Sequence, residues 1–395
     1  MSDSTKEAVM ESSSSSSSRI KSRKISDGTK LPMDLIMEIL KRLQAETLVN
    51  LCESKPLASI IRDRHFKKLF LTHSSSRPGR LFFFKPEDDC LLFSARLPSQ
   101  KPSVEEEALS VATYHRLHHS LGGKINLSCL HCLICYNYYQ FSRSGLKVYN
   151  SSTRGSTTLP AFDEPRHIFK HMLGYDPVDG VYKVLCMNSR VALEMPRLEP
   201  ERFFELIQDS PPYTPFNSHI CINGVLYYDV VDTGLEKEVS VMSFDLRSEQ
   251  FGLIIKGPCD CSLETKTTSM ARYEGKLAII SIEISAAKGD MVLWVLEDAV
   301  THEWVKKVFV YPSLWNSLFQ CSLNFLNITY AGEFVLAPRY LLIPPSYVLC
   351  YDSKTQRVRK VVIAGLPKDN SRGCEQTFCS LYHHFYSQTE SLMFL

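Results

Sequence analysis

From Leu31 to about Leu71, apolar residues recur at helical spacing. Leu35, Ile36, Ile39, Leu40 and Leu43 stand at i, i+1, i+4, i+5 and i+8, which winds into one continuous apolar stripe. Pro32 falls where a first-turn proline is tolerated, and Asp34 and Glu38 bring negative charge to the positive helix end, so a helix is predicted to begin near Pro32. A second stretch carries Leu48, Leu51 and Cys52, and a third carries Leu57, Ile60 and Ile61 before Arg62 and Arg64. Three short helices in roughly 40 residues bury too little surface to be stable alone. The pattern therefore predicts a helical unit that needs a partner.

After Arg77-Pro78-Gly79 the period shortens to that of strands, as in Leu81 to Phe84, Val181 to Met187, Val225 to Val230, Gln250 to Ile255 and Lys276 to Ile282. Turn residues separate them and no long amphipathic helix intervenes, so the remainder is predicted to be all-β. Three segments also resemble one another: Val241 to Phe251, Val292 to Trp304 and Val348 to Val358. Each reads as an apolar strand, an acidic turn and a second strand, with Asp245, Glu297 and Asp352 as the acidic markers. Each follows a strand led by glycine, at Gly224, Gly275 or Gly332, and an earlier copy begins at Lys147-Val-Tyr-Asn150. A repeat of about 50 residues with four strands is the pattern of a propeller blade, and the β region has room for about six. A pair of stacked sheets is the competing arrangement of the same strands.

Composition narrows the function. The chain is 44% hydrophobic, enough for a packed core, and its net charge of +2 lacks the basic excess that a phosphate backbone requires, so no nucleic-acid partner is expected. The 13 cysteines follow no framework spacing and no apolar segment opens the chain as a signal peptide would, which points to reduced thiols in cytoplasm or nucleus and away from secretion. Apolar runs such as Leu277 to Ile282 and Met291 to Leu296 fall short of the roughly 20 residues that span a bilayer, so no membrane association is expected. Residues 1–28, with serines from Ser12 to Ser18 and basic Arg19, Lys21, Arg23 and Lys24, have little to bury and are expected to be a disordered tail.

Catalytic and metal motifs give little. Cys129, Cys132 and Cys135 with His131 have a metal-like spacing, but strand alternation sends Cys129 and Cys135 to one face and Cys132 to the other, which favours core cysteines. His118-His119 and His383-His384 are adjacent pairs whose members point apart. There is no G-x-S-x-G elbow and no phosphate-cradling glycine loop. No cofactor, metal or catalytic residue is assigned. The readings left open are a protein-binding module, a carbohydrate-binding propeller, and a propeller hydrolase.

With those residues laid out, the chain resembles the plant F-box proteins that carry an F-box-associated β-propeller domain of the third type. Leu31-Pro-Met-Asp-Leu-Ile-Met-Glu-Ile-Leu-Lys-Arg-Leu43, Ser54-Lys55 and Ile60-Ile61 resemble the F-box. Tyr149 to Thr153, Gly174 to Pro177, Tyr182 to Val184, Cys221 to Tyr228, Phe244-Asp245, Tyr273 to Ala278 and Leu293 to Asp298 resemble the associated domain. The resemblance implies a small all-α F-box over residues 29–75 followed by an all-β propeller over 79–395. It also implies a non-catalytic subunit of an SCF-type ubiquitin ligase: the F-box binds a Skp-type adaptor and through it a cullin, while the propeller recruits a protein target. Leu31, Pro32, Leu35, Ile36, Ile39, Leu40 and Leu43 are the expected adaptor contacts, with some of them packing the helices instead. Gln44 stands where the family usually has proline, and Leu57, preceded by Pro56, where it usually has an aromatic; both predict a weaker adaptor contact. The irregular segments Leu198 to Asn217 and Tyr311 to Asn327 offer Tyr213, Phe216 and Trp315 as target-binding candidates, since aromatics bury large area at low entropic cost.

Overall fold

The computed structural model describes residues 31–393, apart from 86–90, 99–107, 112, 117–125, 141–142, 160–167, 189–192, 196–204, 208–213, 232–238, 259–267, 286–287, 311–322, 339–345, 367–382 and 388. Four helices come first: α1 (Met33–Leu40), α2 (Ala45–Leu51), α3 (Lys55–Arg62) and α4 (Arg64–Ser74). The fourth exceeds the three that the sequence predicts. It starts at Asp63, whose side chain accepts the Phe66 N–H at 3.1 Å. Phe66 and Phe70 then stand one turn apart, both fully buried. Pro56 opens α3, where no backbone N–H is required. Leu40, Ala45, Leu48, Ile61, Phe66 and Phe70 share one core, and Leu392 from the far end of the chain completes it.

Six sheets follow among the described residues. In chain order, the second holds Leu127–Leu130, Leu133–Gln140, Arg143–Asn150 and Ser156–Thr158; the third, Ile168–Asp176, Val181–Asn188, Leu193–Met195 and Glu205–Ile207. The fourth holds Thr214–Ile222, Val225–Val231, Val239–Asp245 and Gln250–Lys256; the fifth, Thr268–Tyr273, Lys276–Ser285, Lys288–Asp298 and Glu303–Val310. The first and sixth join the two ends of the chain. In the first, His383–Ser387 pairs with Arg80–Lys85, followed by Leu91–Arg96 and Thr113–Arg116. In the sixth, Leu323–Ile328, Glu333–Pro338, Ser346–Asp352 and Arg357–Ala364 gain Ala108–Val111 as a parallel fifth strand.

The β region is arranged as a propeller. The leading strand of every sheet touches that of the next, and His383–Ser387 touches both Leu323–Ile328 and Leu127–Leu130, so the series closes on itself. Each neighbouring pair of sheets buries its own apolar cluster. Phe82, Phe84 and Ile134 join the first sheet to the second, and Ile280, Leu293, Phe334 and Tyr351 join the fifth to the sixth. Because every blade face is covered, the strands read as apolar on both faces rather than alternating.

Turns explain the repeat. Gly224, Gly275 and Gly332 close the turns between first and second strands of the fourth, fifth and sixth sheets at φ of +87°, +84° and +89°, a region that favours glycine. The acidic markers are corrected by one residue. Asp298, rather than Glu297, matches Asp245 and Asp352: each leads the turn between third and fourth strands and accepts backbone N–H groups two and three residues on, at 2.7–3.5 Å. Asn150 does the same in the second sheet, whereas Glu297 forms an ion pair with Lys276. These carboxylates are turn caps.

The cysteine run is also corrected. His131 and Cys132 form a two-residue turn at φ of 51° and 62° between paired strands. Cys129 lies opposite Ile134 and Cys135 opposite Ser128, so Cys129 and Cys135 face opposite sides of the sheet. The turn breaks the alternation on which the sequence reading relied. Among the described residues no group of three or more His, Cys, Asp or Glu has metal-binding geometry. His118 and His119 lie outside the described residues, and His383 and His384 are in the strand that closes the first sheet.

Candidate interaction face

The N-terminal stripe separates into two rows. Ile36, Leu40 and Leu43 turn inward, Leu40 at 4% exposure in the helical core and the other two half-buried against it. Leu31, Leu35 and Ile39 turn outward with 56%, 50% and 54% exposure, and Pro32 is exposed beside them. The structure adds Met33, 54% exposed, which the sequence reading omitted. Leu40 thus packs the helices against each other, because on an eight-residue helix positions 36 and 40 share the face opposite to solvent. Leu57 is likewise half-buried against that core, and Gln44 is exposed at the start of α2. Exposed large apolar residues that adjoin one another on a surface mark an interaction site rather than random exposure.

That face is held in a fixed relation to the ring by ion pairs. Arg80 Nη2 lies 2.7 Å from Glu46 Oε1 and 3.3 Å from Glu390 Oε1. Arg96 Nη2 lies 2.7 Å from Glu390 Oε1 and 3.3 Å from Glu46 Oε2. Arg77 reaches Glu390 Oε2 at 3.6 Å and donates to the carbonyls of Leu43 and Lys41. Glu46 belongs to α2, Arg80 and Arg96 to the first sheet, and Glu390 to the C-terminal stretch, so three parts of the chain meet at one cluster. Burial alone would raise the Glu46 carboxyl, but the Arg80 hydrogen bond and the charges of Arg80 and Arg96 outweigh it and hold the group below its ordinary value.

Residues 389–393 run between helices and ring. The Ser74 hydroxyl accepts the Glu390 N–H at 3.0 Å, Asn150 Nδ2 donates to the carbonyls of Ser391 and Met393 at 3.2 and 2.8 Å, and Leu392 enters the helical core. Lys68 of α4 donates to the Val178 carbonyl in a turn of the third sheet. No sequence signal near residue 390 announces this contact, since its partners lie more than 230 positions away.

Tyr213 and Trp315 lie outside the described residues, and Phe216 is in strand Thr214–Ile222 with its side chain likewise outside them.

A helical unit with an outward apolar row is thus fastened to a β-propeller in one two-module chain. The family model described as F-box associated beta propeller domain matches residues 80–388. Among similar proteins, At4g38870 of Arabidopsis thaliana is 37% identical over 92% of this chain and 88% of its own length. The Arabidopsis thaliana F-box protein At2g21930 is 36% identical over 95% of this chain and 99% of its own. The F-box protein At5g65850 of the same plant is 30% identical over 87% of each. This chain belongs to the family of plant F-box proteins that carry an F-box-associated β-propeller domain.

Proposed function

We propose that the chain is the substrate-recognition subunit of an SCF-type ubiquitin ligase. The helical unit, residues 29–75, binds a Skp-type adaptor that joins a cullin; the β module, residues 79–395, recruits a protein target; and residues 1–28 are a tail outside both. The chain itself is non-catalytic and works in cytoplasm or nucleus. We count the β module as six blades, supported by one sheet of four or five strands per blade and an apolar cluster at every junction. Tyr213, Phe216 and Trp315 remain the proposed target contacts.

The observation that carries the reading is the outward row of Leu31, Met33, Leu35 and Ile39, each at least half exposed while the inner row is packed. An amphipathic helix displaying such a row fits the hydrophobic groove of a partner, where central anchors contribute about 2 kcal/mol or more each. The test is the double variant Leu35→Asp, Ile39→Asp. Because both side chains already meet water, the variant keeps its thermal midpoint, yet adaptor co-purification is lost as charge is forced into the interface. Leu40→Asp, by contrast, buries a charge in the helical core and lowers the midpoint. Unchanged adaptor capture by the double variant would overturn the assignment.

A further inference from the structure

We propose that the central cavity of the propeller is a binding site for a small organic oxyanion, a carboxylate or a phosphate, with Arg272 as its principal contact. The cavity measures about 790 Å³ and is walled by the leading strands of the ring. That volume lies within the roughly 300–1,000 Å³ of ordinary small-ligand pockets. On the side that carries the short turns it is lined by Gly275, Gly332 and Lys354 together with Ser75, the C-cap of α4. A bound molecule would sit beside the helical unit.

The lining is electrostatically one-sided. Among the described lining residues Arg272 and Lys354 stand against one carboxylate, Glu274, which already lies 3.6 Å from Lys307. The Arg272 side chain makes no hydrogen bond or ion pair among the described residues. Its charge is nevertheless felt across the opening by His131 of the second sheet and Cys221 of the fourth. These neighbours are linked: the His131 and Tyr175 rings are 5.2 Å apart, and the Tyr175 N–H points to Cys221 Sγ at 3.4 Å. A guanidinium is a rigid planar fork that matches the two oxygens of a carboxylate or phosphate, and one left unpaired over a walled cavity is set for such a group.

The histidines complete the site without adding charge. Burial first, and for His131 the Arg272 charge second, push the imidazoles of His131 and His219 down to about 3. Both rings are half-buried against the cavity and uncharged near pH 7. Nδ1 of His131 already lies 3.0 Å from the Tyr182 hydroxyl and Nε2 of His219 2.9 Å from Ser128 Oγ, so one nitrogen of each neutral ring is left for a ligand that also carries hydroxyl or amide groups.

The experiment uses the full chain, with citrate and inorganic phosphate as probes, in calorimetric titration and thermal melts at constant ionic strength against chloride. At least one probe is expected to bind saturably and raise the midpoint where chloride does not; the arm that responds separates carboxylate from phosphate. Arg272→Gln is expected to weaken that affinity at least tenfold and Arg272→Lys less. Arg247→Gln, in a turn of the fourth sheet, should leave it unchanged. Arg272 is exposed, so its variants keep the unliganded midpoint, and Lys354→Gln gives a second, smaller loss. Absence of binding by both probes, or equal affinity in Arg272→Gln, overturns the proposal.

Discussion

His171 is fully buried, and its Nε2 donates to the Cys135 carbonyl at 3.1 Å while Nδ1 has no partner among the described residues. Protonating Nδ1 would create a buried N–H with no acceptor. Burial accordingly drives the imidazole down to about 4, against the opposing pull of that carbonyl. The unfolded chain binds this proton near pH 6.5 and the folded chain does not, so stability declines as pH falls from about 6.5 to about 4. The loss approaches about 3 kcal/mol at the acid end. Thermal melts between pH 7 and pH 5 should show the midpoint falling above the usual carboxylate range, with His131 and His219, held down to about 3, adding to the same slope. His171→Gln should flatten that slope by about one proton; an unchanged slope would mean the ring titrates normally in the fold. The turn caps act at the same scale. Asp298→Ala removes the acceptor of two backbone N–H groups and should lower the denaturation midpoint, whereas Glu297→Ala, losing only an exposed pair with Lys276, should lower it less, measured by denaturant melts.

Elements differ in how far sequence alone reveals them. The strands Arg80–Lys85, Val181–Asn188, Val225–Val231, Gln250–Lys256 and Lys276–Ser285 enclose their predicted cores because each is a local apolar run bounded by turn residues. The glycine turns were legible for a similar reason, since positive φ restricts the residue type. Legibility failed where the determinant is distant. Ala108–Val111 pairs with Arg357–Ala364, and His383–Ser387 with Arg80–Lys85, through backbone hydrogen bonds that any extended segment can make. Helix α4 was missed because Phe66 and Phe70 gain their meaning only from the core that receives them. The stripe on α1 was legible as apolar, but its division into outer and inner rows was not, as that requires knowing where α2, α4 and Leu392 lie. Turn chemistry also decided the errors: the His131-Cys132 turn resets the alternation that placed Cys129 and Cys135 on one face.

At the scale of the whole molecule, the chain is closed twice. Ring closure uses His383–Ser387 in the first sheet and Ala108–Val111 in the sixth, and the residues just beyond the closing strand then fasten the helices. The helical unit, too small to be stable alone, thus finds part of its missing partner inside its own chain. Glu390 is the centre of that fastening, 6% exposed and within reach of Arg77, Arg80 and Arg96. Removing it leaves three guanidinium groups with Glu46 as the remaining carboxylate of the cluster, and unpairing buried charge costs about 3–5 kcal/mol. That exceeds what a few short helices can spare within a marginal total. Glu390→Ala should therefore let α1 to α4 open separately from the ring. In hydrogen exchange, the amides of α2 and α4 should lose protection by a hundredfold or more while Lys276–Ser285 and Lys288–Asp298 keep theirs. The outward row on α1 is not part of the cluster, so a Skp-type adaptor, if it binds there as proposed, should restore much of that protection. Equal protection of helices and ring in the variant would show that packing by Leu392, and not the ion-pair cluster, holds the two modules together.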